Sequence, residues 1–168
     1  MLFRSFSLPK KRCERSLRHA HAFPLHQLFI PQAENKKIEL NFSVSEHVFE
    51  NLVTDKIKIS QILKNFISNA IKFTGENGKV EIRFERNDEA DKDRLPLRIS
   101  VTDNGIGIEE DKINLVFEPF RQADGSTSRK YGGTGLGLSI SKEFAGLLKK
   151  RIGVKSAMRR PSAGLFAL

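Results

Sequence analysis

GGTGLGLSI, at positions 132–140, decides how this chain is read. Gly133, Gly135 and Gly137 alternate with other residues, and Leu138, Ile140, Phe144 and Leu147 then follow an apolar helical spacing. The glycines therefore lead into a helix, which puts backbone N–H groups and the positive helix end where an anion can bind. Two familiar phosphate loops do not fit. A Walker A loop needs G-x-x-x-x-G-K-[ST], and no Lys follows these glycines; a dinucleotide fingerprint needs a third Gly where this chain has Glu110 or Ile140.

Immediately upstream, Phe117-Glu118-Pro119-Phe120-Arg121 precedes a polar run, 122–130, containing Gly125, two serines and Thr127. Such a run reads as a mobile cover anchored by two aromatics. Further back, Leu97, Ile99 and Val101 alternate as a strand that runs into Asp103-Asn104-Gly105-Ile106-Gly107, placing Asp103 where strand becomes turn. A D-x-G-x-G alone is equally the composition of a strand-ending turn. Val80, Ile82 and Phe84 form the preceding strand, with the charged stretch 86–94 as the hairpin loop between the two.

From Asp55 the period is helical: Ile59, Ile62, Leu63, Phe66, Ile67, Ala70 and Ile71 share one face, with Thr54 or Asp55 as N-cap. Gln61, Asn65, Asn69 and Lys72, at offsets of four, four and three, form a polar stripe beside it. Asn costs a helix interior about 0.5 kcal/mol relative to Ala, so two such residues are either tolerated on a solvated face or used. On this helix alone both readings stand. Before it, Leu25, Leu28, Phe29 and Ala33 predict a short helix, and Ile38, Leu40, Phe42 and Val44 a half-buried strand.

At 168 residues the chain fits one domain, and 39% hydrophobic content suffices for its core. The formal charge of +9 invites a nucleic-acid partner, but its distribution speaks against one. Residues 1–27 hold six basic residues against one acid and 149–168 hold six against none, while the 121 residues between them hold 17 against 19. The motif-bearing body is slightly acidic, and basic ends are a solvated feature. Residues 1–23 read as a disordered leader rather than a transit peptide. His19, His21 and His26 lack a metal-ligand pattern, single Cys13 excludes an internal disulfide, and no apolar run approaches the roughly 20 residues of a membrane span.

Taken together, the runs QILKNFISNAIKFT (61–74), DNGIGI (103–108), FEPFRQ (117–122) and GGTGLGLSI resemble the N, G1, F and G2 boxes of the sensor histidine kinase ATP-binding domain. Four boxes in order over about 80 residues make the resemblance specific, and it extends from about residue 26 to 154. It implies a Bergerat-type fold, a two-layer α/β sandwich whose mixed sheet has helices on one face. It also implies ATP and Mg²⁺ as ligands. Asn69, assisted by Asn65, would hold Mg²⁺, Lys72 would contact phosphate, and Phe73 would line the adenine pocket. Asp103 would accept the adenine amino group, and Gly105 and Gly107 would let the base approach. Phe117 and Phe120 would pin the lid, and Arg121 and Lys130 would approach the phosphates. Gly133, Thr134, Gly135, Leu136 and Gly137 would wrap the triphosphate.

The resemblance further implies a protein-histidine kinase catalytic domain in a two-component phosphorelay. Its partners would be a histidine phosphoacceptor and dimerisation module in another segment or chain, and a response regulator downstream. No nucleic acid and no membrane contact by the chain itself are expected, and a cytoplasmic setting, or the soluble part of a membrane sensor, follows. His19, His21 and His26 show no acceptor pattern of His-Glu with a nearby Pro, so the acceptor is expected elsewhere. The other readings are a non-catalytic ATP-sensing module and an ATPase or serine kinase of the same superfamily. Gyrase-like relatives carry a general-base Glu where this chain has Asn65. Lys149-Lys150 and Arg159-Arg160-Pro161 replace glycines or acids, so the edge from about residue 155 is atypical, with a closing edge strand placed at 164–168.

Overall fold

The computed structural model describes residues 23–45, 55–86, 97–120, 134–157 and 160–167. Its central element is helix α2, Lys56–Phe73. Asp55 caps it: the carboxylate accepts from the backbone N–H groups of Ile57 and Lys58 at 3.0 and 3.1 Å, satisfying two donors that the first turn leaves open. All seven apolar residues read from the sequence as one face of this helix are buried. Each of the six larger of these side chains contributes about 1.5–3 kcal/mol when removed from water, so this face, more than intrinsic propensity, holds the helix.

The partner of that face is a five-stranded mixed sheet of order β1-β2-β3-β5-β4. Strand β1, Glu39–Val44, runs parallel to β2, Lys79–Arg86, because α2 crosses between them. Strand β3, Leu97–Asp103, is antiparallel to β2 with Val80 opposite Asp103. Val80, Ile82 and Phe84 and Leu97, Ile99 and Val101 are all buried, as period-two alternation on one covered face requires. Helix α1, Phe23–Asn35, adds Leu25, Phe29 and Ala33 to the same core, while Leu28 is 49% exposed. Helix α3, Gly137–Leu147, contributes Ala145, with Leu138 and Phe144 packed beside it.

The C-terminal edge differs from the sequence reading. Two strands follow α3, β4 at Arg151–Ala157 and β5 at Arg160–Ala167, and β5 pairs with both β3 and β4. The last strand is thus interior and β4 is the edge. Pro161, which has no N–H to give, falls where the β4–β5 register shifts between Lys155 and Ala157, so it interrupts no regular pair. Lys149 adopts the left-handed region at φ 56, just past the helix end, where glycine is the commonest residue. Of the expected leader 1–23, Phe23 opens α1, and of the expected hairpin loop 86–94, Arg86 closes β2; the rest of both lies outside the described residues.

Candidate functional site

The polar stripe of α2 faces two loops, one toward each end of the helix. Asn65 meets the start of α3: its Nδ2 donates to the Gly137 carbonyl at 2.8 Å and to Ser141 Oγ at 3.0 Å. The buried Ser141 hydroxyl donates in turn to the same Gly137 carbonyl at 2.8 Å. Gln61 Nε2 donates to Asn65 Oδ1 at 3.3 Å, one helical turn away. Asn65 is therefore engaged as a latch between α2 and α3. Asn69, one turn further on, is half-buried, and its amide forms no hydrogen bond to another described residue. Lys72 follows with its ammonium 4.8 Å from the centre of the Phe73 ring, and burial holds its pKa below the ordinary 10.5.

The far end of α2 meets the Asp103 loop. Strand β3 ends at Asp103, as its sequence predicts. The carboxylate accepts from the Gly105 N–H at 2.9 Å and so bends the chain back. Asn104 fastens that bend to β2: its side chain accepts from the Lys79 N–H at 2.7 Å while its own N–H donates to the Lys79 carbonyl at 3.2 Å. Glycine at 105 is a packing requirement, because a Cβ there would stand 2.5 Å from the Phe73 carbonyl oxygen. The next N–H, of Ile106, donates to that oxygen at 3.3 Å. Gly107 takes φ 74, and Ile108 N–H then donates to Ser156 Oγ of β4 at 2.8 Å.

Downstream, two short 3-10 turns, Glu110–Lys112 and Leu115–Phe117, carry the chain toward α3. Phe117 is half-buried with the Lys142 ammonium of α3 5.8 Å from its ring centre. Phe120 is 76% exposed at φ 59, so of the two expected aromatic anchors only Phe117 is covered here. Arg121, Lys130, Gly133 and the polar run between them fall outside the described residues. Past them Thr134 is exposed, and Gly135 turns at φ 70, in the left-handed region that glycine enters freely. Leu136, the N-cap of α3, gives its helix no side-chain cap, and Ser139 Oγ turns back to donate to the Leu136 carbonyl at 2.9 Å.

Thus α2 brings the Asn65–Asn69–Lys72 stripe, the Asp103 loop and the α3 start into one arrangement. Asn65, beside Gly137, and Phe73, beside Gly105, are eight residues apart on one helix, a rise of about 12 Å. Four participants escaped the sequence reading: Lys36, Asn104, Ser141 and Ser156. Asn104 lies within the DNGIGI run, and its role as a turn fastener is a known habit of Asn. Lys36 and Ser156 bond partners distant in sequence, and Ser141, besides its local bond to Gly137, meets Asn65 of α2; no local pattern signals these contacts. Among the described residues, no group of three or more His, Cys, Asp or Glu side chains is placed to hold a metal ion, and no helix is long and apolar enough to cross a membrane.

The same residues match the model of the histidine kinase-, DNA gyrase B-, and HSP90-like ATPases over positions 54–164, and the chain belongs to that family. It is 37% identical over 143 residues to the peroxide stress-activated histidine kinase mak2 of Schizosaccharomyces pombe, covering 83% of this chain and 6% of mak2. With the autoinducer 2 sensor kinase/phosphatase LuxQ of Vibrio vulnificus it shares 38% over 138 residues, covering 82% of this chain and 16% of LuxQ. The chain therefore spans a small fraction of these relatives. Among solved structures, full-length ShkA in complex with AMPPNP aligns with a TM-score of 0.72 at 27% identity, over 99% of this chain and 31% of ShkA. The catalytic domain of histidine kinase ThkA aligns with a TM-score of 0.68 at 28% identity, over 99% of this chain and 94% of that one. ThkA in complex with the response regulator protein TrrA aligns at 0.64 and 26%, over 98% and 40%. The fold is that of a histidine kinase ATP-binding domain, as the four boxes imply.

Proposed function

We propose that this chain binds Mg·ATP along α2 and presents the γ-phosphate to a histidine on another module or chain, as the catalytic domain of a two-component phosphorelay kinase. The observation that carries this reading is the joint seating of the Asp103 loop and the α3 start against a single polar-striped helix. Adenine would lie at the Phe73–Asp103 end, where the Asp103 carboxylate accepts its amino group and Gly105 and Gly107 leave room for the ring. The phosphates would lie toward Gly135, Leu136 and Gly137, whose N–H groups and helix dipole suit an anion. Thr134 and Gly133 would complete that wrap, and Lys72, Arg121 and Lys130 would neutralise charge.

Asn69 suits Mg²⁺ because a neutral amide complements a metal already held by triphosphate oxygens. Its side chain makes no hydrogen bond to another described residue, whereas Asn65 is committed to α3. Asn65 assists chiefly by holding the Gly137 carbonyl and so fixing where α3 begins. When bound, the cation supplies charge neutralisation at the phosphates. The chain's own residues orient the nucleotide and shield its phosphates. No side-chain base is needed, since a neutral imidazole attacks by itself and positioning supplies the rate.

LuxQ is a sensor kinase and phosphatase and ThkA is found with a response regulator, which supports a response regulator as the downstream partner here. The slightly acidic body supports neither nucleic acid nor anionic membrane as a partner, and a cytoplasmic setting fits the low cysteine content. Titration with a fluorescent ATP analogue and Mg²⁺ tests the site. Binding in the micromolar to millimolar range is expected, with Asn69→Ala weakening it at least about tenfold and Gln61→Ala leaving it within about twofold. Equal effects of the two substitutions would return the stripe to an ordinary solvated face.

A further inference from the structure

The C-terminal end of α2 has an unusual termination. A helix leaves its last four carbonyls without intrahelical partners, and these normally turn to water or to a following glycine turn. Here every one is taken by protein. Ala70 still receives the regular helical bond from the Thr74 N–H at 3.0 Å, so the open carbonyls are those of Ile71, Lys72, Phe73 and Thr74, and Phe73 accepts from the Ile106 N–H of the Asp103 loop at 3.3 Å. The remaining three converge on one ammonium. Lys36 Nζ donates to Ile71 O at 2.8 Å, Lys72 O at 3.0 Å and Thr74 O at 2.8 Å.

Three donors meeting three carbonyls use the full capacity of an ammonium, and its positive charge sits at the negative end of the helix dipole. Lys36 comes from the turn after α1, where Ile38 N–H and Lys36 N–H both donate to the Ala33 carbonyl, at 2.8 and 3.1 Å. These two bonds involve no residue of the nucleotide loops. Lys36 is half-buried, so these charge-assisted bonds are only partly screened.

We propose that Lys36 is a positioning residue of the nucleotide site. By drawing in the carbonyls on either side of Phe73, it leaves the Phe73 carbonyl as the one that meets Ile106. It thereby sets the spacing between the end of α2 and the Asp103 loop, which Gly105 already brings to the limit of contact. The inference rests on the reading of that loop as the adenine end. Since Lys36 acts on that end, its loss should weaken nucleotides with two or three phosphates alike. A guanidinium is no substitute, because its planar fork cannot point three donors at one cluster of carbonyls.

The test compares ADP and Mg·ATP affinities of the full chain and its Lys36→Met variant, well below the melting temperature of each. Both ligands should weaken by the same factor, about tenfold, as expected when a supporting hydrogen bond to a binding group is lost. In a Cys13→Ser background, Lys36→Cys alkylated with 2-bromoethylamine restores an ammonium of nearly the same reach, and affinity should return with it. Lys36→Gln keeps two donors and should fold with an intermediate loss, which keeps the test decisive if Lys36→Met does not fold. Unchanged affinity in folded Lys36→Met or Lys36→Gln would overturn the proposal, as would a loss that aminoethylation fails to reverse or one confined to ATP. Should those variants bind normally while Asp103→Asn does not, the nucleotide site stands and Lys36 is only a helix cap. Should the unaltered chain bind neither nucleotide, both readings fall.

Discussion

Asp103 shapes its turn and, in the proposed site, also accepts the adenine amino group; its chemistry lets the two roles be separated. One carboxylate oxygen accepts the Gly105 N–H, which an Asn side-chain oxygen can also do. What Asn lacks is the charge that strengthens a bond to an adenine amino group, worth about 1.5–3 kcal/mol for charged partners. Asp103→Asn is therefore expected to leave the melting temperature nearly unchanged and to lower the preference for ATP over GTP by at least about tenfold, measured by competition. An unchanged ratio with an intact fold would mean that Asp103 only shapes the turn. Lys72 is the other residue whose state is informative. Burial lowers its pKa, so the fold binds this proton less tightly than the unfolded chain; the resulting penalty is full below the lowered folded value and is relieved as pH rises from there to 10.5. An anionic phosphate nearby reverses that sign, so saturating nucleotide should raise the Lys72 pKa in a titration followed by NMR.

At the scale of elements, α2 organises the molecule and its two ends are its sensitive points. Asp55 is held below its ordinary pKa of 3.8, first by the Lys58 side chain and then by the Lys58 and Ile57 N–H groups. The cap is thus at full strength above pH 3.8 and is lost as pH falls through the lower folded value. Asp55→Ala should melt earlier than the parent at neutral pH, and the gap should close in acid; a gap that persists to the lowest pH would remove the charge from the explanation. At the other end, Gly105→Ala forces a methyl against the Phe73 carbonyl, a backbone atom that cannot swing aside. Overpacking of this kind costs about 1–3 kcal/mol, and the variant should lose both thermal stability and nucleotide affinity.

How much of this was legible in the sequence follows from how local each signal is. The buried face of α2 and the strands β2 and β3 announce themselves because their periods are clean and their partners adjacent. Asp103 at a strand end and glycines before a helix are likewise local facts. Strand β4 was not legible: RIGVKSA places Ile152 and Val154 on one side, but a glycine and two basic residues break up the pattern. The interior place of β5 was hidden for another reason, since strand order depends on pairing with β3 some 60 residues away, which no local pattern encodes. The Lys36 contacts span 35 to 38 residues and the Asn65 latch spans 72 to 76, so both are properties of the assembled layers.

At the scale of the whole molecule, the chain is an ATP-binding domain, and in the proposed function it supplies one half of a phosphotransfer whose acceptor lies elsewhere. Asn65 stands where the resemblance puts the general-base Glu of gyrase-like relatives; it is an amide already donating to α3, so activation of water is not supported and hydrolysis should be slow. Any acceptor histidine is supplied from outside the four boxes. The most direct measurement incubates the chain with γ-labelled ATP and Mg²⁺, alone and with a separately supplied dimerisation hairpin of the histidine kinase type, and scores acid-labile phosphate on each polypeptide. The account predicts label on the hairpin histidine, none on His19, His21 or His26, and little free phosphate. Vigorous phosphate release with no label on the hairpin, or label on the chain's own histidines without it, would contradict it.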